Sequence, residues 1–226
     1  QTLEEPGKTA ALVTPDRGLA RRVTAELSRW QVSVDDSAGH PLADTQPGAF
    51  LRLIAAVAVD DLAPVSLLAL LKHPMAAAGL SPAVLRRQAR QLEMAVLRGP
   101  RPDGGFEGLR DAIPDKHPDL IELVQRLDIR MSPSLNAMRS PELALNDLVH
   151  HHVKAAEAMA ETDNVSGAER LWSGEAGDAA AGFISELIEH GTTVSLAPGY
   201  YPAFFDALVA GRVVRPHFGA HPRLSI

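Results

Sequence analysis

Apolar and polar positions along this chain fall into two regimes. In the first, a continuous apolar run, Ala10-Ala11-Leu12-Val13, has the length of a buried strand. Thr14-Pro15-Asp16 then starts a helix. Thr14 can cap the free amides, Pro15 suits the first helical position, and Asp16 faces the positive end of the dipole. Leu19, Val23 and Leu27 recur every four residues and Trp30 closes the stripe, while Arg17, Arg21, Arg22 and Arg29 ride mostly on other faces. Val32 and Val34 alternate with polar residues, predicting a second strand that ends at Asp35-Asp36. Strand, helix and strand joined in this way make a parallel βαβ unit with a right-handed crossover. Ser37-Ala38-Gly39-His40-Pro41 is then a loop at a strand's carboxyl end, where open α/β sheets place their ligands.

The second regime is helical. Thr45 can cap a helix whose apolar side is Phe50, Leu51, Ile54 and Val57, with Asp60-Asp61 interrupting it. A short apolar helix from Val65 to Lys72 stops at His73-Pro74. From about Met75 strand signals vanish, and helix starts are marked by Ser81-Pro82, Pro118-Asp119 and Ser140-Pro141. The last of these predicts a long helix from Pro141 to Glu161, with Leu145, Leu148, Val149 and His152 on one side. Gly177 to His190 and Tyr201 to Ala210 read as two more, the latter ended by Gly211 as a C′ residue. Arg212-Val213-Val214 and Arg223-Leu224-Ser225-Ile226 can each begin a strand.

The residues ALVTPDRGLARRVTAELSRW, followed by VDDSAGHPLADTQPGAFLRL, resemble the AddB-type subunit of bacterial double-strand-break repair helicase–nucleases, closest to the alphaproteobacterial branch. Such subunits are similar to superfamily 1 helicases of the UvrD kind. The resemblance implies a predominantly helical α/β fragment, with a partial RecA-like parallel sheet and a large inserted helical subdomain. Residues 1–61 would belong to the second motor domain, 62–218 to the insertion, and 219–226 to the strand that returns to the motor. Active motors of this kind carry an arginine directly after the first strand. Here Thr14 and Pro15 stand there, so the resemblance implies an inactivated motor. It also implies DNA and an AddA-type helicase–nuclease subunit as partners, and a role in resecting broken ends.

Composition narrows the class without naming a function. At 226 residues the chain can bury a full core, and 46% apolar with 22% charged residues is ordinary for a globular protein. Zero cysteines exclude disulfides and thiolate chemistry and fit a cytoplasmic protein. No apolar run approaches the roughly 18 residues needed to cross a bilayer, and no secretory signal opens the chain, so no membrane partner is expected. A net charge of −6 argues against a surface that coats nucleic acid everywhere, and leaves room for a local basic face.

The chemistry is sparse. There is no phosphate loop, no dinucleotide glycine motif, no nucleophile elbow and no Glu-x-x-His pair, so neither catalysis nor a cofactor is expected. Asp35, Asp36 and Ser37 form the candidate strand-end site; Asp36 capping the turn through Gly39 is the plainer reading. Arg17, Arg21 or Arg22 could stand in for the missing motor arginine, against the plainer reading of solvated helix residues. His150-His151-His152 cannot converge on one ion because neighbours on a helix point about 100° apart. Only Asp147 with His151 has suitable spacing, and no metal is expected.

The candidate nucleic-acid site is the helix from Pro82 to Arg98. Leu85, Ala89, Leu92 and Val96 make one narrow apolar stripe, and Arg86, Arg87, Arg90 and Arg98 gather elsewhere with Glu93 the only acid. Arginines so spaced can meet successive phosphates without choosing a sequence. A solvated or interdomain face is the competing explanation. The chain end, with Arg212, Arg215, His217, His221 and Arg223, is a second and weaker candidate. The function expected is therefore a non-catalytic, helicase-like repair fragment that positions DNA and partner subunits. The alternatives are a stand-alone α/β enzyme with a helical lid, using Asp35-Asp36, or a helical protein-interaction module.

Overall fold

The computed structural model describes residues 4–5, 7–34, 36–215 and 221–226. In chain order its elements begin with β1 (Ala10–Ala11), α1 (Arg17–Arg29) and β2 (His40–Pro41). Helices follow: α2 (Gln46–Val59), α3 (Pro64–Lys72), α4 (Pro82–Leu92, continued by a π turn over Glu93–Leu97), α5 (Gly105–Asp111) and α6 (Pro118–Ala137). After β3 (Leu143–Ala144) come α7 (Leu145–Ala160), α8 (Gly167–Leu171) and α9 (Gly174–His190). Then β4 (Ser195–Leu196), α10 (Tyr201–Ala210), β5 (Val213–Val214) and β6 (Leu224–Ser225) complete the order. The chain is predominantly helical, as the sequence predicts, and among the described residues its strands pair only as three two-stranded sheets. Contacts divide it into two compact units, Gln1–Pro41 with Val213–Ile226, and Leu42–Arg212.

In the first unit the predicted βαβ pairing is replaced by another. β1 runs parallel to β6, Ala10 opposite Leu224 and Ala11 opposite Ser225. Val32–Val34 is not a strand. Gln31 turns the chain through a left-handed conformation (φ 59°), and the Val32 N–H donates back to the Leu27 carbonyl at 3.0 Å, so these residues close α1 instead of extending. Ser33 O nevertheless accepts from His221 N (2.6 Å) and Ser37 N donates to Ile226 O (2.9 Å). The run at 10–13 is also not buried: Ala10 and Ala11 are exposed and Val13 is 94% exposed. Trp30, expected to close the apolar stripe, is 79% exposed, and only Ala20 of α1 is buried.

Asp16, not Thr14, caps α1. Its Oδ1 accepts from Gly18 N (2.8 Å) and Leu19 N (3.1 Å), while Thr14 Oγ1 accepts from Asp16 N. β2 and β5 pair antiparallel, His40 opposite Val214. Gly39 is required there: its φ is 65°, and a Cβ would lie 2.5 Å from the Val214 carbonyl oxygen.

The second unit is built around α7, which packs against α2, α6, α8 and α9. Leu148, Val149, His152, Ala156, Met159 and Ala160 are all fully buried. Large apolar side chains so placed each contribute roughly 1.5–3 kcal/mol relative to exposure, while alanines let the neighbouring backbones approach. The helix begins at Leu145 and not at Pro141. Leu143–Ala144 is taken by the antiparallel pair with Ser195–Leu196, and Leu145 N donates to Val194 O at 2.8 Å.

No glycine caps the far end of α7. The Met159 carbonyl accepts from Ala77 N and Ala78 N (2.9 Å each), Arg130 donates to Ala158 O (3.2 Å), and Arg170 donates to Ala160 O. Other start signals hold in part, although Ser81 makes no capping hydrogen bond to α4. Thr45 Oγ1 accepts from Gly48 N (3.2 Å) at α2, and proline occupies the first turn of α3, α4 and α6. Gly211 follows α10 with φ −81°, so it supplies no left-handed cap.

Candidate nucleic-acid interface

α4 exists because its apolar residues repeat at helical spacing, and the predicted stripe is fully used: Leu85, Ala89, Leu92 and Val96 are buried. Leu97 is buried as well, although on a continuous α-helix it would lie about 100° round from Val96. The π turn resolves this. Arg98 N donates to Glu93 O at 3.0 Å, five residues back, and the wider turn brings Val96 and Leu97 inward together. Met94, in the same turn, remains 61% exposed.

Arg86, Arg87 and Arg90 point outward, and among the described residues none of the three forms an ion pair or donates a side-chain hydrogen bond. Glu93 is already compensated. Its carboxylate is met by Lys72 Nζ at 2.6 Å and Arg98 Nη2 at 3.0 Å, and these partners, Lys72 first, hold it below the usual carboxylate range. A hollow of about 530 Å³ is lined by Lys72, Arg86, Arg90, Glu93, Met94 and Arg98, which sets four cations against one carboxylate. Across the Arg90–Met94 ridge lies a second hollow of about 420 Å³. Arg87, Gln91, Ala95, Pro114, Lys116 and His117 complete its wall. Such a surface has the charge to hold phosphates and an apolar floor between the charges.

The remaining candidates go elsewhere. Arg98 belongs to the basic hollow, although its guanidinium is engaged by Glu93. Arg212 pairs with Glu186 (2.5 Å) and lies over the Phe183 ring at 5.4 Å, so its charge is met within the helical unit. Arg215 belongs to the other unit. Asp35 and His217 lie outside the described residues. Asp36 is buried, with its carboxylate receiving both Nη1 (3.1 Å) and Nη2 (2.5 Å) of Arg17 and its Oδ1 accepting from Ala38 N. Arg17 also donates to Gly39 O at 3.1 Å. That bidentate guanidinium pulls the Asp36 carboxyl below its ordinary value. The pair clamps the turn, in line with the plainer reading of Asp36, and engages the Arg17 guanidinium. Ser37 is exposed beside it.

The three histidines separate as helix geometry demands: His150 is exposed, His151 half-buried and His152 buried. Among the described residues no three His, Cys, Asp or Glu side chains come close enough to hold a metal. No helix is long and apolar enough to cross a membrane.

No known family model, curated protein or solved structure matches the chain.

Three members of the basic face escaped the sequence reading: Lys72, Lys116 and His117. Lys72 ends α3, and Lys116-His117 precedes the proline that starts α6, so each stands at an element's edge, apart from any basic run. Their signal was a cation beside a helix boundary. Only the packing of α3 and α6 against α4 brings them to one place.

Proposed function

We propose that this chain is a non-catalytic nucleic-acid-positioning part of a repair protein, and that the outward face of α4 holds the phosphates. The observation that carries the reading is the cluster of Arg86, Arg87 and Arg90, without ion-pair partners among the described residues, on the rim of two hollows in an acidic chain. Unpaired guanidiniums at helical spacing gain most from an anionic polymer, because each phosphate met releases a condensed counterion. The wider proposal is an AddB-type, helicase-like fragment acting beside an AddA-type subunit. Its support is the parallel pairing of β1 with β6, two strands that bracket the helical unit in sequence, as the ends of an interrupted sheet would.

Salt titration of DNA binding tests the phosphate reading. Three contacts give a log–log slope near −3 on duplex and about −2 on a single strand. Replacing Arg86, Arg87 and Arg90 together with Ala should remove most of that slope and leave the circular-dichroism spectrum unchanged, since the buried stripe is untouched. A triple variant that binds as the parent does at low salt would sink the proposal.

A further inference from the structure

The two hollows beside α4 differ in chemistry, and the difference carries a more specific reading that rests on the proposal above. The larger is walled by cations: Lys72, Arg86, Arg90 and Arg98 surround the compensated Glu93. The smaller has an apolar floor of Ala95 and Pro114 beside the Met94 ridge, with Gln91, the His117 ring, Arg87 and Lys116 completing its lining. Arg90 and Met94 line both. We infer that the smaller hollow takes one unpaired nucleobase, with its flanking phosphates on Arg90 and Arg86, so that this face binds single-stranded nucleic acid in preference to duplex.

Three features point this way. A volume of about 420 Å³ is of the size of small-molecule sites, which run roughly 300–1,000 Å³. A duplex keeps its bases stacked inside, so it would meet the arginines but leave the apolar floor wet. Met94, 61% exposed on the ridge, then has no partner; against a base it offers a polarisable sulfur and methyl to a flat π face. The polar groups at the wall suit a base edge. The Gln91 amide donates and accepts, and the half-buried His117 ring can stack. Sequence-tolerant stacking over a basic track is how single strands are held without base-specific readout.

The experiment compares three probes by fluorescence anisotropy with the intact chain: an oligothymidylate, an abasic strand of equal length and charge, and a duplex of equal length. The expected result is oligothymidylate bound about tenfold or more tighter than the abasic strand, the gain of a stacked base, and tighter than the duplex. Met94→Ala, and separately Ala95→Leu to fill the floor, should erase the thymidylate-over-abasic preference while leaving the salt slope in place. Equal binding of the two strands, with salt dependence still lost in the triple arginine variant, would overturn the base pocket and leave the phosphate reading standing. Absence of binding to all three probes overturns both. A preference that survives both Met94→Ala and Ala95→Leu, or a preference for duplex, also overturns the inference.

Discussion

The buried histidine His152 should make this protein lose stability as the pH falls through the mildly acidic range, by an amount the structure sets. The ring is fully buried on α7, between Tyr201 and Phe205. Its Nε2 lies 2.8 Å from the Leu51 carbonyl, which can only accept, so Nε2 carries the proton. Nδ1 is then the acceptor, and the Tyr201 hydroxyl, 2.8 Å away, donates to it. Both nitrogens are satisfied by the neutral ring alone. A second proton on Nδ1 would turn the Tyr201 hydroxyl from donor to acceptor and give the buried ring a charge without solvent, and burial pushes the pKa from 6.5 down to about 4. Burial also pushes the Tyr201 phenol far above its ordinary value, so it stays a donor at any working pH.

The sign follows from which state takes the proton. Above pH 6.5 the ring is neutral folded and unfolded, and the full stability is present. Between 6.5 and about 4 only the unfolded chain protonates, which drains stability by about 1.4 kcal/mol per pH unit, some 3 kcal/mol in all. Below about 4 this group costs nothing further. His152→Leu leaves the Leu51 carbonyl and the Tyr201 hydroxyl unpaired and should cost about 2–4 kcal/mol at pH 8. At pH 4.5 the wild type has lost most of its advantage, and the two proteins should converge. Urea unfolding followed by circular dichroism, at half-unit pH steps, reads the difference directly. His73 is also depressed by burial but is common to both proteins, so it cancels. A constant gap from pH 8 to 4.5, or a His152 resonance titrating near 6.5, would refute the tautomer and the burial on which this rests.

Two further substitutions test the packing at the C-terminal end of α7. Gly167→Ala places a Cβ 1.7 Å from the Glu157 carbonyl oxygen, backbone that cannot swing aside, so α8 must move from α7; a loss of about 2 kcal/mol or more in urea unfolding is expected. Arg170→Met removes the donor shared by the carbonyls of Met75 (3.0 Å), Ala160 and Pro74 (3.4 Å), and should cost about 1–3 kcal/mol; it should also speed amide exchange at Ala77 and Ala78, which lean on the same turn of α7.

The sequence revealed most where a local rule and the core agreed. Thr45, Pro82 and Pro118 each announce a helix that packing then uses, and the α4 stripe was legible residue by residue. Local rules failed where a distant segment supplied the partner. Val32 and Val34 alternate like a strand, but hydrogen bonds to β1 come from Leu224 and its neighbours, at the other end of the sequence. Pro141 is a good helix start, yet Leu143–Ala144 pairs with Ser195–Leu196 first. Trp30 fits a helical stripe, but α1 buries only Ala20 and gives the indole nothing to pack against among the described residues. The candidate site divides in the same way. Its arginines lie on one helix and were legible; Lys72, Lys116 and His117 reach it only through the packing of three helices.

The π turn shows why the exposed half of that site takes the form it does. Leu92, Val96 and Leu97 all reach the core, although a continuous α-helix would set the last two about 100° apart. Inserting one extra residue into the turn satisfies both, at the cost of a poorer hydrogen-bond geometry that burial of two large side chains, roughly 1.5–3 kcal/mol each, offsets. Met94 stays on the outward side of that turn, and Arg98, which follows it, meets Glu93 together with Lys72. Lys72 and Arg98 thus compensate the one acid of the helix, and Met94 lines both hollows beside Arg90. Leu97→Ala would relax the core's demand on that turn, so it should weaken the fold and redistribute the charges of this face together. Removal of Arg86, Arg87 and Arg90 should strip charge from this face without weakening the fold, because among the described residues those three side chains form no ion pair or side-chain hydrogen bond.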